Sequence, residues 1–400
     1  MCAPAGPGAA ILLSKIAEYG GGRESRLMDT LLDAPTIAQR ILDHIDNQTT
    51  DLCDETWREP VANYRSEARF IAERDEVLRR VPTAFCPSAA LTKPGAYVAR
   101  EAAGTPLLVV RGADGEVRAF RNACRHRGAQ LACGQGREAS FVCPYHGWTY
   151  GLDGALRHVP HEHGFPDLDK ASRGLVQVAA AECGGVVFVT QDAPAPSGPN
   201  LDDLPELLPA SLKLIATGAQ DTHANWKISA EGFLEGYHIY STHRDTFYPV
   251  QFDNLNVVER FGWNSRVTFP YRNINKLRAV PPAERQVGGT LTHVYHLFPN
   301  AIIATFPQRT LLVVLEPVSP SLTRTLTYTL AESGTVKEAP DAIARDTDFV
   351  DAGAREDREV VESIQRSLSS GANTHFEFGR FEGAITHFHR NMHRLIGEAG

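Results

Sequence analysis

The chain of 400 residues lacks long apolar runs, and no window approaches the roughly 18 apolar residues of a membrane span. It also lacks a Lys/Arg-rich run, and its 40 basic residues are outnumbered by 48 acidic ones. Neither a membrane nor a nucleic-acid partner is therefore expected. The apolar patch from Ala9 to Leu13 has no positive residue before it, as a secretory signal would require, so we expect a cytoplasmic protein.

Cysteine and histidine are the informative residue types. Seven cysteines are an odd number for a chain of this size, and together with fifteen histidines they suit metal ligation better than a disulfide framework. A hydrophobic content of 42% and a charged content of 22% describe a well-packed globular protein. Because single cores stop growing at roughly 250 to 300 residues, we expect two domains.

Turn and linker signals divide the chain into segments. Asp114-Gly115 and Asp153-Gly154 each lie between short apolar runs, a pattern that favours antiparallel hairpins. Clustered prolines and aspartates after this region favour a linker. The predicted segments are a disordered tail (1–27), an N-terminal helical segment packed on the catalytic domain (28–80), a small antiparallel β domain (81–192), a linker (193–210) and a mixed catalytic domain (211–400).

The last segment is predicted to contain both helices and strands. Helices are expected over Ala230 to Ser241 and from about Gly353 to Leu368, and a second C-terminal helix is expected after them. The predicted strands lie near Ser265 to Tyr271, His293 to Phe298, Ala301 to Phe306, Leu311 to Val318 and Thr323 to Ala331.

A first metal-binding pattern lies in the β domain, where Cys124 and His126 are followed by Cys143 and His146. Each arm supplies one cysteine and one histidine, whereas zinc knuckles usually begin with two cysteines. A Rieske [2Fe-2S] cluster needs this pattern, because two thiolates hold one iron and two imidazoles hold the other. We interpret the four residues as cluster ligands, with a structural zinc site as the alternative.

A second pattern combines Glu235 with His238 and His243. Two histidines and a carboxylate form the facial triad that binds iron with open positions. On a straight helix the two histidines would point about 140° apart, so the helix must bend or end between them, near Ser241-Thr242. The alternative is a pair of unrelated histidines.

The third ligand of this triad is predicted to be Asp357. It lies on the apolar stripe of the predicted helix, one turn before Val360 and Val361, and a buried carboxylate is costly unless it is paired or binds metal. Glu356 and Glu359 lie off this stripe and are interpreted as solvated charges. The alternative for Asp357 is an acid favoured by the helix dipole.

These motifs together resemble the catalytic α subunit of Rieske non-haem iron oxygenases, the aromatic-ring-hydroxylating family, over about residues 55 to 395. The resemblance implies an α+β chain, with a small antiparallel β Rieske domain and a helix-grip (START-like) catalytic domain that holds a mononuclear Fe(II). It also implies a homotrimer, alone or with a small β subunit, in which Glu235 bridges the Rieske centre of one chain and the iron of its neighbour. No nucleotide-binding fingerprint accompanies the motifs, so NAD(P)H would act through a separate reductase, with or without a ferredoxin.

The position of Glu235 bears on the substrate. Ring dioxygenases generally have Asp there, and Glu resembles the quaternary-ammonium branch, although the usual cysteines of that branch are Gly236 and Ile239 here. Three hypotheses follow: an oxygenase that hydroxylates or demethylates a small aromatic or alicyclic compound, a monooxygenase of a betaine- or carnitine-like substrate, and a non-catalytic Rieske electron carrier or zinc-stabilised module. The candidate pocket residues are Phe233, Leu234, Phe247, Tyr248, Phe298 and Phe306.

Overall fold

The computed structural model describes residues 31–202, 204–338 and 340–397, and the predicted tail at 1–27 lies outside them. The helices of the described residues are α1 (Ala34–Asn47), α2 (Glu67–Ala72), α3 (Trp226–Glu231), α4 (Ile239–Thr242), α5 (Ser333–Glu338), α6 (Pro340–Ser367) and α7 (Gly383–Ile396). None of these described helices combines the length and the hydropathy that a membrane span requires.

Each strand of the described residues pairs with its neighbours in the antiparallel sense. They are β1 (Trp57–Pro60), β2 (Thr83–Pro87), β3 (Ala96–Ala102), β4 (Thr105–Arg111), β5 (Val117–Arg121), β6 (Gly134–Arg137), β7 (Phe141–Val142), β8 (Thr149–Tyr150), β9 (Leu156–His158), β10 (Gln177–Cys183), β11 (Val186–Thr190), β12 (Leu212–Thr222), β13 (Val257–Phe261), β14 (Asn264–Pro270), β15 (Leu291–Leu297), β16 (Ala301–Thr305), β17 (Thr310–Ser319), β18 (Leu322–Glu332) and β19 (His375–Phe378).

The first domain is the predicted small antiparallel β domain. Its larger sheet has the order β2-β11-β10-β5-β4-β3-β6, and a smaller sheet has the order β7-β8-β9. The turn at Asp114-Gly115 joins β4 to β5, with Gly115 at a φ of 87°, a conformation that glycine adopts without steric cost. The cysteine- and histidine-bearing loops follow β5 and β7.

The second domain wraps a seven-stranded sheet, in the order β12-β18-β17-β16-β15-β14-β13, around helix α7. Side chains alternate along each strand, so Val313 of β17 packs with Phe388 and Met392 of α7, whereas Leu312 and Val314 pack with the core of the first domain. The strands are therefore apolar on both faces. This arrangement and the β domain confirm the predicted α+β class.

The segment before the first domain packs on the second. Strand β1 pairs with β19 next to the C-terminal helix, from Trp57 opposite Phe378 to Pro60 opposite His375. The chain then forms α2 and a π-helical stretch, Glu73–Leu78, which contacts α7. This stretch places Glu73 against α3. Helix α3 begins the segment that carries Glu235.

The predicted strands of the second domain agree with β14 to β18, but the predicted helix over Ala230 to Ser241 is wrong. Helix α3 ends at Glu231 and α4 begins only at Ile239. In between, the Glu235 carboxylate accepts the backbone N–H groups of Tyr237 and His238, which competes with helical hydrogen bonding. Helix α6 begins at Pro340, well before the predicted start near Gly353.

Candidate iron centres

The two loops of the first domain have matching backbone geometry. Cys124 N–H donates to the carbonyl of Ala129 at 2.8 Å, and Cys143 N–H donates to the carbonyl of Trp148 at 2.8 Å. A glycine closes each turn, with φ values of 84° at Gly128 and 73° at Gly147. Because β-carbons disfavour this conformation, glycine is the favoured residue at both turns.

The predicted cluster ligands meet at the tips of these loops. Cys124 and Cys143 are buried, whereas His146 is exposed at the domain surface. The Nδ1 atoms of His126 and His146 lie 3.1 Å apart. Imidazole nitrogens that bind one metal at about 2.1 Å would be roughly 3 to 3.5 Å apart, so the pair fits two ligands of a single iron.

Aromatic side chains surround the four residues. The ring of His126 stacks on buried Trp148, with ring centres 4.9 Å apart and an interplanar angle of 8°. The hydroxyl of Tyr150 lies 3.3 Å from Cys124 Sγ and accepts the backbone N–H of Arg125. Burial, together with the contact to Cys124, holds the pKa of Tyr150 well above its usual range, so this hydroxyl stays protonated and can donate to sulfur.

The second domain brings His238, His243 and Asp357 together. One ligand atom from each lies within 4.8 Å of the other two. Asp357 Oδ1 is 2.9 Å from His243 Nε2 and 3.6 Å from His238 Nε2. Although His243 Nε2 is buried, it makes no hydrogen bond with any described residue. A buried nitrogen that faces a carboxylate in this way fits a shared metal ion.

The chain reaches this geometry because α4 is a single turn. His238 precedes it and His243 follows it, so the two side chains are not held on opposite faces of one straight helix. The prediction that the helix ends between them agrees with this arrangement. Asp357 comes from α6, on which Val361 is buried as expected but Val360 is 42% exposed; Leu368, also buried, follows the end of the helix.

A carboxylate supports each imidazole from behind. Glu235 contacts His238 Nδ1, and Glu356 Oε2 lies 2.8 Å from His243 Nδ1 and accepts the hydroxyl of Thr246 at 2.6 Å. Such carboxylates fix the ring orientation and the tautomer of metal-binding histidines. The interpretation of Glu356 as a solvated charge is therefore wrong, because its carboxylate contacts His243. Only the folded chain brings His243 to it.

The charges around His238 change its protonation. Burial lowers the pKa of His238, but the hydrogen bond with Glu235 and the charges of Glu235 and Asp357 outweigh burial and raise the pKa to about 9. A metal ion would displace this proton, because ligation requires the neutral imidazole. Sequence reasoning also missed Glu382, whose pKa is raised to about 7 by burial, with further contributions from the charges of Glu235 and Glu231.

A buried ionic network holds α3 in front of this site. Lys227 Nζ, fully buried, lies 2.6 Å from Glu73 Oε1 and donates to the carbonyl of Asn63. At the end of α3, Glu231 accepts the hydroxyl of Tyr64 at 2.7 Å and lies 2.8 Å from His389 Nε2. Buried charges persist when they are paired in this way. Glu231 is thus a structural anchor and lies apart from the three iron-ligand candidates.

The predicted pocket residues lie in three different places. Phe247 packs on His243, with ring centres 4.6 Å apart, and also on Phe349 of α6 at 5.0 Å. Tyr248 instead packs on Tyr240 near the surface. The remaining candidates pack in the interior between the sheet, α7 and the ligand segment, and they are Phe233, Leu234, Phe298 and Phe306.

Comparison with known protein families assigns both domains. The family described as "Rieske [2Fe-2S] domain" matches residues 82–172, and the family described as "Ring hydroxylating alpha subunit (catalytic domain)" matches residues 210–398. These matches cover both sets of candidate ligands described above.

Among similar proteins, the carnitine monooxygenase oxygenase subunit of Acinetobacter pittii (strain PHEA-2) is 31% identical over 235 residues, which are 55% of this chain and 62% of that relative. The glycine betaine monooxygenase oxygenase subunit of Chromohalobacter salexigens is 26% identical over 368 residues, with 76% and 79% covered. The chain therefore spans less than two thirds of the carnitine oxygenase relative. A solved quaternary ammonium Rieske monooxygenase shares the fold, with a TM-score of 0.73 at 21% identity over 92% of this chain and 99% of that one.

Proposed function

Because this chain belongs to the α-subunit family of Rieske non-haem iron oxygenases, we propose that it is a terminal oxygenase acting on a quaternary-ammonium substrate. In this reaction dioxygen, two electrons and two protons convert one C–H bond into C–OH and release water. The observation that carries the proposal is the convergence of His238, His243 and Asp357, with Glu235 behind the first histidine.

Two sets of residues would hold the cofactors. Cys124, Cys143, His126 and His146 would hold the [2Fe-2S] cluster, and His238, His243 and Asp357 would hold the mononuclear Fe(II). Once bound, the cluster supplies electrons and the mononuclear iron supplies reductive activation of dioxygen.

The protein side chains position these groups. Glu235 and Glu356 orient the two imidazoles, so both Nε2 atoms face Asp357. Phe247 packs on His243 and keeps water away from that side of the site. Glu235 also lies beside exposed Tyr237, so electrons can enter the site from the protein surface.

Electron entry at the surface supports the proposed partners. His146 of the cluster is exposed, as are Tyr145 beside it and Tyr237 beside Glu235. Exposed faces at both centres are what a homotrimer needs if the cluster of one chain serves the iron of its neighbour. A separate NAD(P)H-dependent reductase, with or without a ferredoxin, would reduce the cluster.

Two observations favour a quaternary ammonium group over a neutral ring. The relatives named above act on carnitine and glycine betaine, and Glu235 stands where ring dioxygenases generally have Asp. The aromatic rings of Phe247 and Phe349 beside His243 can attract a cation through their faces. The aromatic or alicyclic substrate remains the alternative outcome of the same assay.

The test is oxygen uptake and product analysis across a panel of trimethylammonium compounds and aromatic acids, with a surrogate reductase. We expect turnover of at least one ammonium compound, with formaldehyde or another aldehyde as product. Turnover confined to aromatic acids would overturn the substrate assignment. The His238→Ala variant, with its cluster spectrum unchanged, serves as the inactive control.

Metal analysis separates the oxygenase from the non-catalytic hypothesis. The oxygenase requires about three irons per chain and a rhombic EPR signal on reduction. Purified protein that holds zinc and no iron would instead support a zinc-stabilised module.

A further inference from the structure

A buried polar cluster lies on the concave face of the catalytic sheet, away from the iron ligands. Its cationic member is Arg309, which directly precedes β17 and is 4% exposed. Arg309 is on the same strand face as Leu311 and Val313, which pack in the interior against Val350 of α6. Its guanidinium therefore belongs to the interior between the sheet and the helix that carries Asp357.

The contacts of Arg309 are incomplete for a buried charge. One N–H group donates to the backbone carbonyl of Asp346 at 3.2 Å, and Nε lies 3.5 Å from Asp346 Oδ2. Neither Arg309 Nε nor Asp346 Oδ2 makes a hydrogen bond with any described residue, although both atoms are fully enclosed. The 3.5 Å contact between these two atoms is longer than an ordinary hydrogen bond, so the guanidinium keeps a donor for another group.

Arg266 provides an internal comparison. It is also buried, but it lies on the opposite face of the sheet and donates to both carboxylate oxygens of Glu259 and to the carbonyl of Leu32. A buried arginine with a structural role is thus bonded at several of its N–H groups in this protein. Arg309 is not bonded in that way.

Helix α6 connects this cluster to the iron site. Asp346 and Asp357 are three turns apart on nearly the same helix face, which is a rise of about 16 Å. The rings of Phe349 and Phe247 lie between them and lead to His243. Gly353 allows this approach, since a β-carbon there would lie 2.4 Å from Phe247. The interior therefore has a metal end at the candidate iron ligands, an aromatic middle formed by Phe247 and Phe349, and a polar end at Arg309 and Asp346.

We propose that Arg309 binds a carboxylate of the substrate at the polar end, so that the substrate is a betaine with its ammonium methyl groups at the iron. This inference rests on the proposed function and narrows it. The planar guanidinium matches a carboxylate with two parallel N–H donors, and a zwitterion of several carbons spans the aromatic middle. In the structure Asp346 pairs with the guanidinium, and the charge of exposed Asp351 also acts on it.

The polar neighbours support this assignment. Thr292 donates its hydroxyl hydrogen to the hydroxyl oxygen of Tyr271 at 2.8 Å, on the same concave face. Burial, together with the charge of Asp346, raises the pKa of Tyr271 to about 12, so the hydroxyl stays protonated near the cluster. Pockets that bind small molecules are typically apolar with a few such polar groups at one end.

The test measures binding by calorimetry to the iron-loaded holoenzyme. The probes are 4-(trimethylammonio)butanoate and its methyl ester, which differ only in the carboxylate. We expect the wild type to bind the carboxylate about 10- to 100-fold more tightly than the ester, the range for a hydrogen bond to a charged group. Arg309→Met should abolish that ratio, whereas Arg266→Met should keep it. An unchanged ratio in Arg309→Met, or no preference in the wild type, would overturn the inference.

A second variant, at Asp346, is expected to tighten carboxylate binding where Arg309→Met weakens it, and it keeps the arginine. Asp346→Asn takes away the competing carboxylate, so it should tighten binding of 4-(trimethylammonio)butanoate and leave the ester unchanged. Weaker binding of both compounds would indicate a structural pair and overturn the assignment. This measurement also decides the question if Arg309→Met fails to fold.

Oxygen uptake with the same compounds separates this inference from the proposed function. If the wild type binds the carboxylate through Arg309 but oxidises neither compound, the proposed function falls and the carboxylate site stands. If the wild type oxidises both, and Arg309→Met lowers kcat/KM equally for both, the carboxylate site falls and the function stands.

Discussion

The two candidate iron centres of this protein are assembled in different ways. The candidate cluster ligands all lie between Cys124 and His146, on two loops that share one backbone pattern and one glycine position. The candidate mononuclear ligands lie between His238 and Asp357, and the sheet from β13 to β18 separates the histidines from the aspartate in sequence. The first centre is therefore a local construction, and the second exists only after the domain has folded.

This difference has a consequence for stability. Each cluster loop is closed by its own hydrogen bonds, whereas the iron triad depends on buried charges from distant segments, including Glu73, Lys227 and Glu231. Damage confined to α3 or α6 should therefore weaken the iron site and spare the cluster, whose cysteines pack in a separate apolar group of the first domain. The following predictions test that separation.

The largest effect is expected for ligand removal. Asp357→Ala should lose the mononuclear iron and all measurable turnover while keeping the cluster absorbance, because the loops of the first domain do not depend on α6. Cys143→Ser should do the reverse and lose the cluster. Iron analysis and EPR of the reduced proteins check both, and cluster loss in Asp357→Ala would contradict the division of ligands.

A smaller but substantial loss is expected on breaking the buried pair beneath α3. Lys227→Met removes one of the two cations that pair with buried Glu73 and leaves Arg69 as its partner, so it should lower the free energy of unfolding by about 1.5 to 3 kcal/mol. Thermal unfolding followed by circular dichroism and by cluster absorbance measures the change in each domain. The exposed Lys213→Met is the matched control, and equal effects of the two variants would refute the role of the network.

Acid should weaken the second domain through Glu59. Burial raises the pKa of Glu59, but hydrogen bonds from His393 and Asn63 and the charge of His389 outweigh burial and lower it to about 2. The unfolded chain takes up a proton near pH 4.5, whereas the native carboxylate does not, so this stabilisation is complete above that pH and is lost as the pH falls toward 2.

The measurement compares unfolding of the wild type with that of Glu59→Gln across this pH range. The difference in their free energy of unfolding should shrink by about 2 to 3 kcal/mol between pH 6 and pH 2. A difference that does not vary with pH would show that Glu59 keeps an ordinary pKa.

Removing the support of one imidazole should weaken iron binding without abolishing it. Glu356→Gln loses the charged contact to His243 Nδ1, and such partners contribute about 10- to 100-fold in metal affinity. Competition with a chelator measures this affinity. The control variant is Glu359→Gln, at an exposed neighbouring position, and it should behave like the wild type. Equal affinities of the two variants would show that Glu356 is an ordinary surface charge.

The smallest effect is expected at a cluster loop. Gly128→Ala places a β-carbon at a φ of 84° with no heavy atom within 4 Å, so only the backbone preference is lost, about 1 kcal/mol. Gly262→Ala, at a φ of 60° in the turn between β13 and β14, has the same open surroundings. Both should destabilise their own domains slightly, but only the first should speed cluster loss on heating.

Much of the architecture was predictable because it follows from local sequence patterns. The strands of the second domain follow from apolar alternation and turn residues, and the cluster loops follow from the spacing of Cys124, His126, Cys143 and His146. Asp357 stays a prediction, and its premise of a buried apolar stripe was only partly right, because the Asp357 side chain is 36% exposed and Val360 is also exposed. The break between α3 and α4 was less accessible, since it depends on Glu235 taking up backbone N–H groups that a helix would otherwise use.

By itself, the sequence determined the fold class and the family resemblance, because those depend on residue type and short spacing, and it predicted the candidate ligands. Only the tertiary structure revealed that Glu356 supports His243, that Glu231 anchors α3, and that Arg309 meets Asp346 inside the sheet. Each of these contacts joins residues that are distant in the chain. Their partners are chosen by the packing of the sheet against α6 and α7, and no local pattern records that choice.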